Sequence, residues 1–181
     1  MTERNYEKDL DQLFDDADRI IRSIKQCCKS IYDQNELDFG EYAFRPVEGD
    51  VYTKVLGRYL KLVLGQTAYY EAKLVGRTRA DIQFGDKVPK VLIEVKSHGQ
   101  FDSQALVDRF KKLTSRYSTE QHIYIAFRER EDYVKKTAAL LNPLGVTTYF
   151  FSSYKIDPSK TLKDPETLRK LIEALNEGCQ E

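Results

Sequence analysis

Tryptophan is absent from this chain, histidine occurs twice, cysteine three times, and the formal net charge is zero. Each scarcity excludes something. Two cysteines are adjacent (Cys27, Cys28) and the third lies near the end (Cys179), so no disulfide framework is readable. No Cys or His spacing matches a zinc site either. No apolar run approaches membrane-spanning length, and the polar, acidic first residues do not read as a signal peptide. The expectation is a cytoplasmic protein with no membrane partner. Internal repeats and low-complexity tracts are also missing. What remains, over 181 residues that are 41% hydrophobic and 32% charged, is enough to bury a real core in one globular unit.

The zero net charge hides an uneven distribution. Residues 1–50 carry seven basic and thirteen acidic side chains, whereas residues 51–100 carry nine basic and only four acidic ones. The middle of the chain is therefore the part suited to a polyanion, with Lys54, Arg58, Lys61, Lys73, Arg77, Arg79 and Lys90 available for phosphates. Arg77 and Arg79 stand out, because they lead into the most informative stretch of the sequence.

That stretch runs from Arg79 to Lys96. Ala80, Ile82 and Phe84 alternate with Asp81 and Gln83; Val91, Ile93 and Val95 alternate with Leu92, Glu94 and Lys96. Side chains alternate across a strand, so two strands with one apolar and one largely polar face are predicted. Gly85-Asp86-Lys87 supplies turn residues, and Pro89 disfavours a regular central-strand position. If Phe84 faces Val91, then Ile82 faces Ile93 and Asp81 faces Glu94. Opposed carboxylates repel, and strand pairs normally avoid them. A bound cation is the natural reason to tolerate such a pair. Oxygen ligands with few histidines point to Mg2+, or Mn2+, rather than zinc. Lys96, two residues beyond Glu94, can offset charge on an attacking water and on a phosphate. The same three residue types on an exposed strand would also make an ordinary solvated surface.

Asp81, a short connection and then Glu94-Val95-Lys96 resemble the core of the PD-(D/E)XK phosphodiesterase superfamily, the restriction-endonuclease-like nucleases. The group includes many restriction endonucleases, archaeal Holliday-junction resolvases and RecB-type nucleases. The resemblance covers roughly residues 51–127. It implies that Asp81 and Glu94 ligate the metal, that the Val95 carbonyl adds a ligand, and that Lys96 is the catalytic lysine. Gln104, in the following helix, resembles the glutamine that RecB-like nucleases carry after the lysine. Ala80 stands where the motif has proline. The expected glutamate on the preceding helix is missing from residues 51–64, leaving Glu48 near its start as a candidate ligand that also suits the positive helix end. Ser97 and His98 follow Lys96 closely enough to touch phosphate. The activity implied is Mg2+-dependent endonucleolytic cleavage of DNA. Alternatives are a non-catalytic subunit or interaction module that keeps the nuclease fold, and an RNase.

The expected frame is a mixed central β-sheet flanked by helices on both faces, with a restriction-endonuclease-like core and a long N-terminal helix. Residues 1–46 read as that helix and a connection broken at Gly40 and Pro46, and 47–181 as the nuclease-like α/β domain. Tyr6, Leu10, Leu13, Ala17, Ile20, Ile24, Cys27 and Ile31 recur at heptad spacing. The helix therefore either packs across its own domain or offers a seam to a second copy or another protein. Two cuts in a duplex need two sites, which favours a homodimer. Downstream, strands are expected at residues 121–127 and 146–151, a helix at 131–141 ended by Asn142-Pro143, and a last helix opened by Asp164-Pro165.

Overall fold

The alternation and the apolar runs become five strands, and the amphipathic stretches five helices, in a computed structural model of the chain. It describes residues 4–34, 45–73, 79–85, 89–97, 103–117, 120–127, 130–151 and 165–180, without the side chains of residues 30–34, 45–47, 71–73, 179 and 180. In order these are α1 (Tyr6–Gln34), α2 (Arg45–Leu64), β1 (Ala68–Lys73), β2 (Arg79–Phe84), β3 (Val91–Ser97), α3 (Ser103–Arg116), β4 (Gln121–Phe127), α4 (Glu131–Leu141), β5 (Val146–Phe151) and α5 (Pro165–Gln180). The strands form one mixed sheet in the order β1-β2-β3-β4-β5. The first three run antiparallel to one another, and β3, β4 and β5 run parallel.

The predicted hairpin register is present at Phe84–Val91 and Ile82–Ile93, whereas the expected Asp81–Glu94 pair lies beyond the paired stretch. The turn is closed by the Lys90 N–H donating to Phe84 O at 2.8 Å, and Gly85 enters it at φ 96°, where a side chain would be strained. Residues 86–88 lie outside the described residues. β4, apolar on both faces as expected, is buried between two layers. Gly145, at φ 73°, ends the 3-10 turn Asn142–Leu144 that follows α4.

Two clusters of buried side chains fill the two sides of the sheet. On one side Ile82, Phe84, Val91, Ile93, Val95, Ile123 and Ile125 meet residues of α1, α2 and α5. On the other, Leu92, Tyr124 and Ala126 meet Leu106, Val107, Phe110 and Leu113 of α3 and Val134 and Leu141 of α4. Helices thus cover both faces, as the expected architecture requires.

Three expectations need correction. Pro46 does not break the chain: α2 begins at Arg45 and runs through it, because proline in a first turn forfeits no intrahelical hydrogen bond. Glu48 and Asp50 therefore belong to the helix. The apolar side of α1 is Leu10, Leu13, Phe14, Ala17 and Ile21, with Ile24 and Cys28 partly buried beside it, whereas Ile20 and Cys27 face outward. A straight helix drifts off a seven-residue repeat, so a face docked on the chain's own core tracks the 3.6-residue period. Finally, Ala80 is buried on the α3 side, not beside Ile82. Residues 35–44, which hold most of the proposed connection, lie outside the described residues. Among the described residues no helix is long and apolar enough to cross a membrane.

Candidate active site

Asp81 sits where β2 and β3 part. Backbone pairing between these strands is recorded from Phe84 to Ile82 and no further. Beyond it the Asp81 carboxylate takes the place of a ladder partner, accepting the Val95 N–H at 2.8 Å through Oδ2. That single bond turns Asp81 toward β3 and satisfies a buried backbone donor. Strand alternation then places Glu94 and Lys96 on the same side. Lys96 Nζ lies 3.5 Å from Asp81 Oδ2 and 3.4 Å from Glu94 Oε2. The three residues singled out from the sequence are therefore in mutual reach.

The polar face is not a solvated surface. Glu94 is only 1% exposed and Gln83 is buried, its amide donating to Gly85 O at 3.0 Å. The cover over Glu94 comes from α3, whose Arg109 was not foreseen. Arg109 Nη2 approaches Glu94 Oε1 to 2.6 Å and Asp81 Oδ1 to 3.7 Å, and donates to Arg79 O at 2.9 Å. The bond to Arg79 O is well aligned; the contact with Glu94 is not, and Glu94 Oε1 has no hydrogen-bond donor among the described residues. A sequence signal for Arg109 did exist. It stands three residues after Leu106 and four before Leu113, a cation at one border of an apolar helical stripe.

Burial pushes the Glu94 carboxyl up to about 8, and the neighbouring Asp81 carboxylate adds to the rise; Lys96 and Arg109 oppose it. Full desolvation outweighs two nearby cations here because the carboxylate has lost water on every side. A carboxyl so placed is high in energy when ionised, and a divalent cation would relieve it.

The other candidates separate. Val95 is buried between Glu94 and Lys96 on β3, its N–H held by Asp81. Glu48, in the first turn of α2, is paired with Lys25 Nζ at 2.6 Å. Neighbouring Gly49 lies close to Ser97, a Cβ built on it standing 3.6 Å from Ser97 Oγ, so the start of α2 does reach the end of β3. Glu48 nonetheless adds no third acid: among the described residues no three His, Cys, Asp or Glu side chains gather as a metal cage. Ser97 is buried on the α2 side, away from Lys96, and its hydroxyl has no hydrogen-bond partner among the described residues; the period-2 alternation that unites Glu94 and Lys96 turns Ser97 the other way. Gln104 is exposed on α3 and donates to Asp108 at 2.9 Å, one turn along its own helix. Lys54 and Arg58 are exposed on α2, which packs on the opposite side of the sheet from Glu94. Arg79 is exposed at the start of β2, beside the site. Arg77 and His98 lie outside the described residues.

The two carboxylates offer only oxygen donors, which suits a hard cation. Mg2+ is commonly held by one or two carboxylates, with water and substrate phosphate completing the shell, so the lack of a third acid does not count against the fit. In comparisons with known proteins, no family model, no curated protein and no solved structure matches the chain.

Proposed function

We propose that the chain is a Mg2+-dependent nuclease that hydrolyses phosphodiester bonds, with DNA as the first substrate to test. One observation carries this reading: Asp81 and Glu94, from adjacent strands, converge on one side of the sheet with Lys96 Nζ within 3.5 Å of both carboxylates. Together with an antiparallel hairpin continued by parallel strands, it supports a restriction-endonuclease-like core.

In this reading Asp81 and Glu94 would hold the cation, with the Val95 carbonyl as a further ligand. The cation, when bound, supplies a water of lowered pKa and neutralises phosphate charge. Asp81 stays oriented by the Val95 N–H. Lys96 offsets the charge that builds on the attacking oxygen and the phosphate, and the buried surroundings strengthen that effect. Arg79, exposed at the mouth, is placed to meet the nucleic-acid backbone.

The test is a cleavage panel over duplex, junction and single-stranded DNA and RNA, with Mg2+ or with EDTA. Mg2+-dependent cleavage lost in Lys96→Ala and in Glu94→Gln is the expected result. Cleavage that survives EDTA, or that Glu94→Gln retains in full, removes the mechanism.

A second reading is favoured by Arg109. Two acids and two bases sharing one buried site make a cluster that can hold itself together without metal. That is what a non-catalytic subunit keeping the nuclease fold would contain. No cleavage in the panel, together with no metal uptake, selects this reading.

A further inference from the structure

The feature that the nuclease reading leaves unused is Arg109. Its guanidinium lies against both carboxylates, yet its one well-aligned bond among the described residues goes elsewhere, to the Arg79 carbonyl at the start of β2. A planar guanidinium opposite a carboxylate usually forms parallel, aligned hydrogen bonds. Here Glu94 Oε1 lies 2.6 Å from Nη2 without one. The contact is close, electrostatic and unlocked.

Position matters as much as alignment. Glu94 is 1% exposed, and the cation that lies against its Oε1 is Arg109. The Arg109 side chain itself is 35% exposed, so it has a way out toward solvent. Its anchor, Arg79 O, belongs to an exposed residue at the start of β2. A guanidinium pivoting on that carbonyl could release Glu94 without leaving the site's edge.

The geometry points to Arg109 as the resident counter-ion of the carboxylate pair, occupying the metal position on Glu94 and leaving it only when a divalent cation takes its place. This inference rests on the reading of Asp81 and Glu94 as metal ligands and deepens it. It makes metal uptake a cation exchange at the buried Glu94 carboxylate. The released guanidinium then stands at the rim, where a substrate phosphate is the natural anion to receive it.

Charge competition sets the sign of the test. If Arg109 occupies the metal position, removing its charge makes Mn2+ bind more tightly; if it merely props Glu94 in place, removing it makes Mn2+ bind more weakly. Mn2+ uptake would be measured by electron paramagnetic resonance of the free ion for wild type, Arg109→Gln, Arg109→Met and Arg109→Lys, with Glu94→Gln as control, all at about pH 8.5, above the Glu94 value of about 8. The expected result is Mn2+ binding about tenfold tighter in the two neutral variants, consistent with loss of one nearby unit charge from a partly screened site. Arg109→Lys should stay near wild type, and Glu94→Gln should lose most binding. Equal or weaker binding in both neutral variants, with Glu94→Gln still defective, overturns the exchange and leaves the metal site standing. No Mn2+ uptake by wild type or any Arg109 variant overturns both. Should the neutral variants fail to fold, wild type decides alone. The Arg109 Nε–Hε resonance, assigned with Arg109→Lys, should move as Mg2+ saturates the protein, and an unmoved resonance at saturation overturns the exchange.

Discussion

Asp81 Oδ2 accepts the Val95 N–H at 2.8 Å, so a carboxylate of one strand stands in for the backbone of that strand just where the ladder between them ends. The bond gives Asp81 two jobs. It aims the residue at the site, and it satisfies a backbone donor of a buried residue.

Substitutions at Asp81 should therefore separate chemistry from stability. Asp81→Ala removes the acceptor and should destabilise the fold by about 1–3 kcal/mol, the usual cost of orphaning a buried donor. Asp81→Asn keeps an oxygen facing Val95 and should lose much less. Both should abolish Mg2+-dependent cleavage. Urea unfolding of the two variants beside wild type is the check; equal stability of Asp81→Ala and Asp81→Asn would mean that the Val95 bond contributes nothing.

Glu94 should make the metal-free protein less stable as pH rises. Its carboxyl binds a proton more tightly in the folded chain, at about 8, than in the unfolded one, at the ordinary 4.5. Between these values the folded state holds the extra proton, so this contribution is complete below about 4.5 and disappears as pH climbs through about 8. Asp81, beside it, sharpens the effect, and Lys96 and Arg109 moderate it. Urea midpoints of EDTA-treated wild type should fall from pH 5 to pH 8.5, while Glu94→Gln should be flatter. Added Mg2+ should raise the wild-type midpoint chiefly at the alkaline end, where it no longer competes with the proton. A Glu94→Gln profile as steep as wild type would assign the slope to other groups.

How much was legible depended on how local the determinants were. The strands β4 and β5, helix α4 and the hairpin register could be read directly, because period-2 alternation and turn residues act over a few positions. Asp81, Glu94 and Lys96 were found together for the same reason: one hairpin carries all three. Arg109 was missed because its place at the border of the α3 stripe marks a helix face but not a partner; it reaches Glu94 only through the crossing of α3 over the sheet, a tertiary event. Burial of Glu94 was missed likewise, since an alternating strand reads as half-solvated until a helix covers its polar face. Pro46 misled because a proline that breaks a helix interior is at home in a first turn. The α1 seam misled because heptad and 3.6-residue periods coincide for the first few turns and part company near Ile20.

That parting makes a sharp pair of substitutions. Ile20 is 39% exposed whereas Ile21 is buried against the core. Ile20→Glu should change stability by no more than about 0.5 kcal/mol, as for most surface changes. Ile21→Glu places a carboxylate among apolar side chains and should cost about 3 kcal/mol or more. A dimerising heptad seam demands the reverse order, with Ile20→Glu dissociating the dimer. Thermal unfolding and size-exclusion chromatography of both variants decide between the two arrangements.

Phe127 is where α1, α2 and the sheet are tied together. Its ring stacks on Tyr52 of α2 at 4.9 Å and on Phe151 of β5 at 5.0 Å between centroids, and meets Phe14 of α1 edge-on at 5.9 Å. Aromatic pairs in these orientations contribute beyond the area they bury, and all four rings are almost fully enclosed. Phe127→Ala should cost about 3–5 kcal/mol, the range for emptying an aromatic core position. Phe127→Leu, which keeps most of the volume, should cost less than half of that. Because Phe14 and Tyr52 lose the same neighbour, hydrogen exchange should show α1 and α2 losing protection together in Phe127→Ala. Loss confined to α1 would mean that the N-terminal helix rests on the core without sharing it, and that the division near residue 46 is a true boundary.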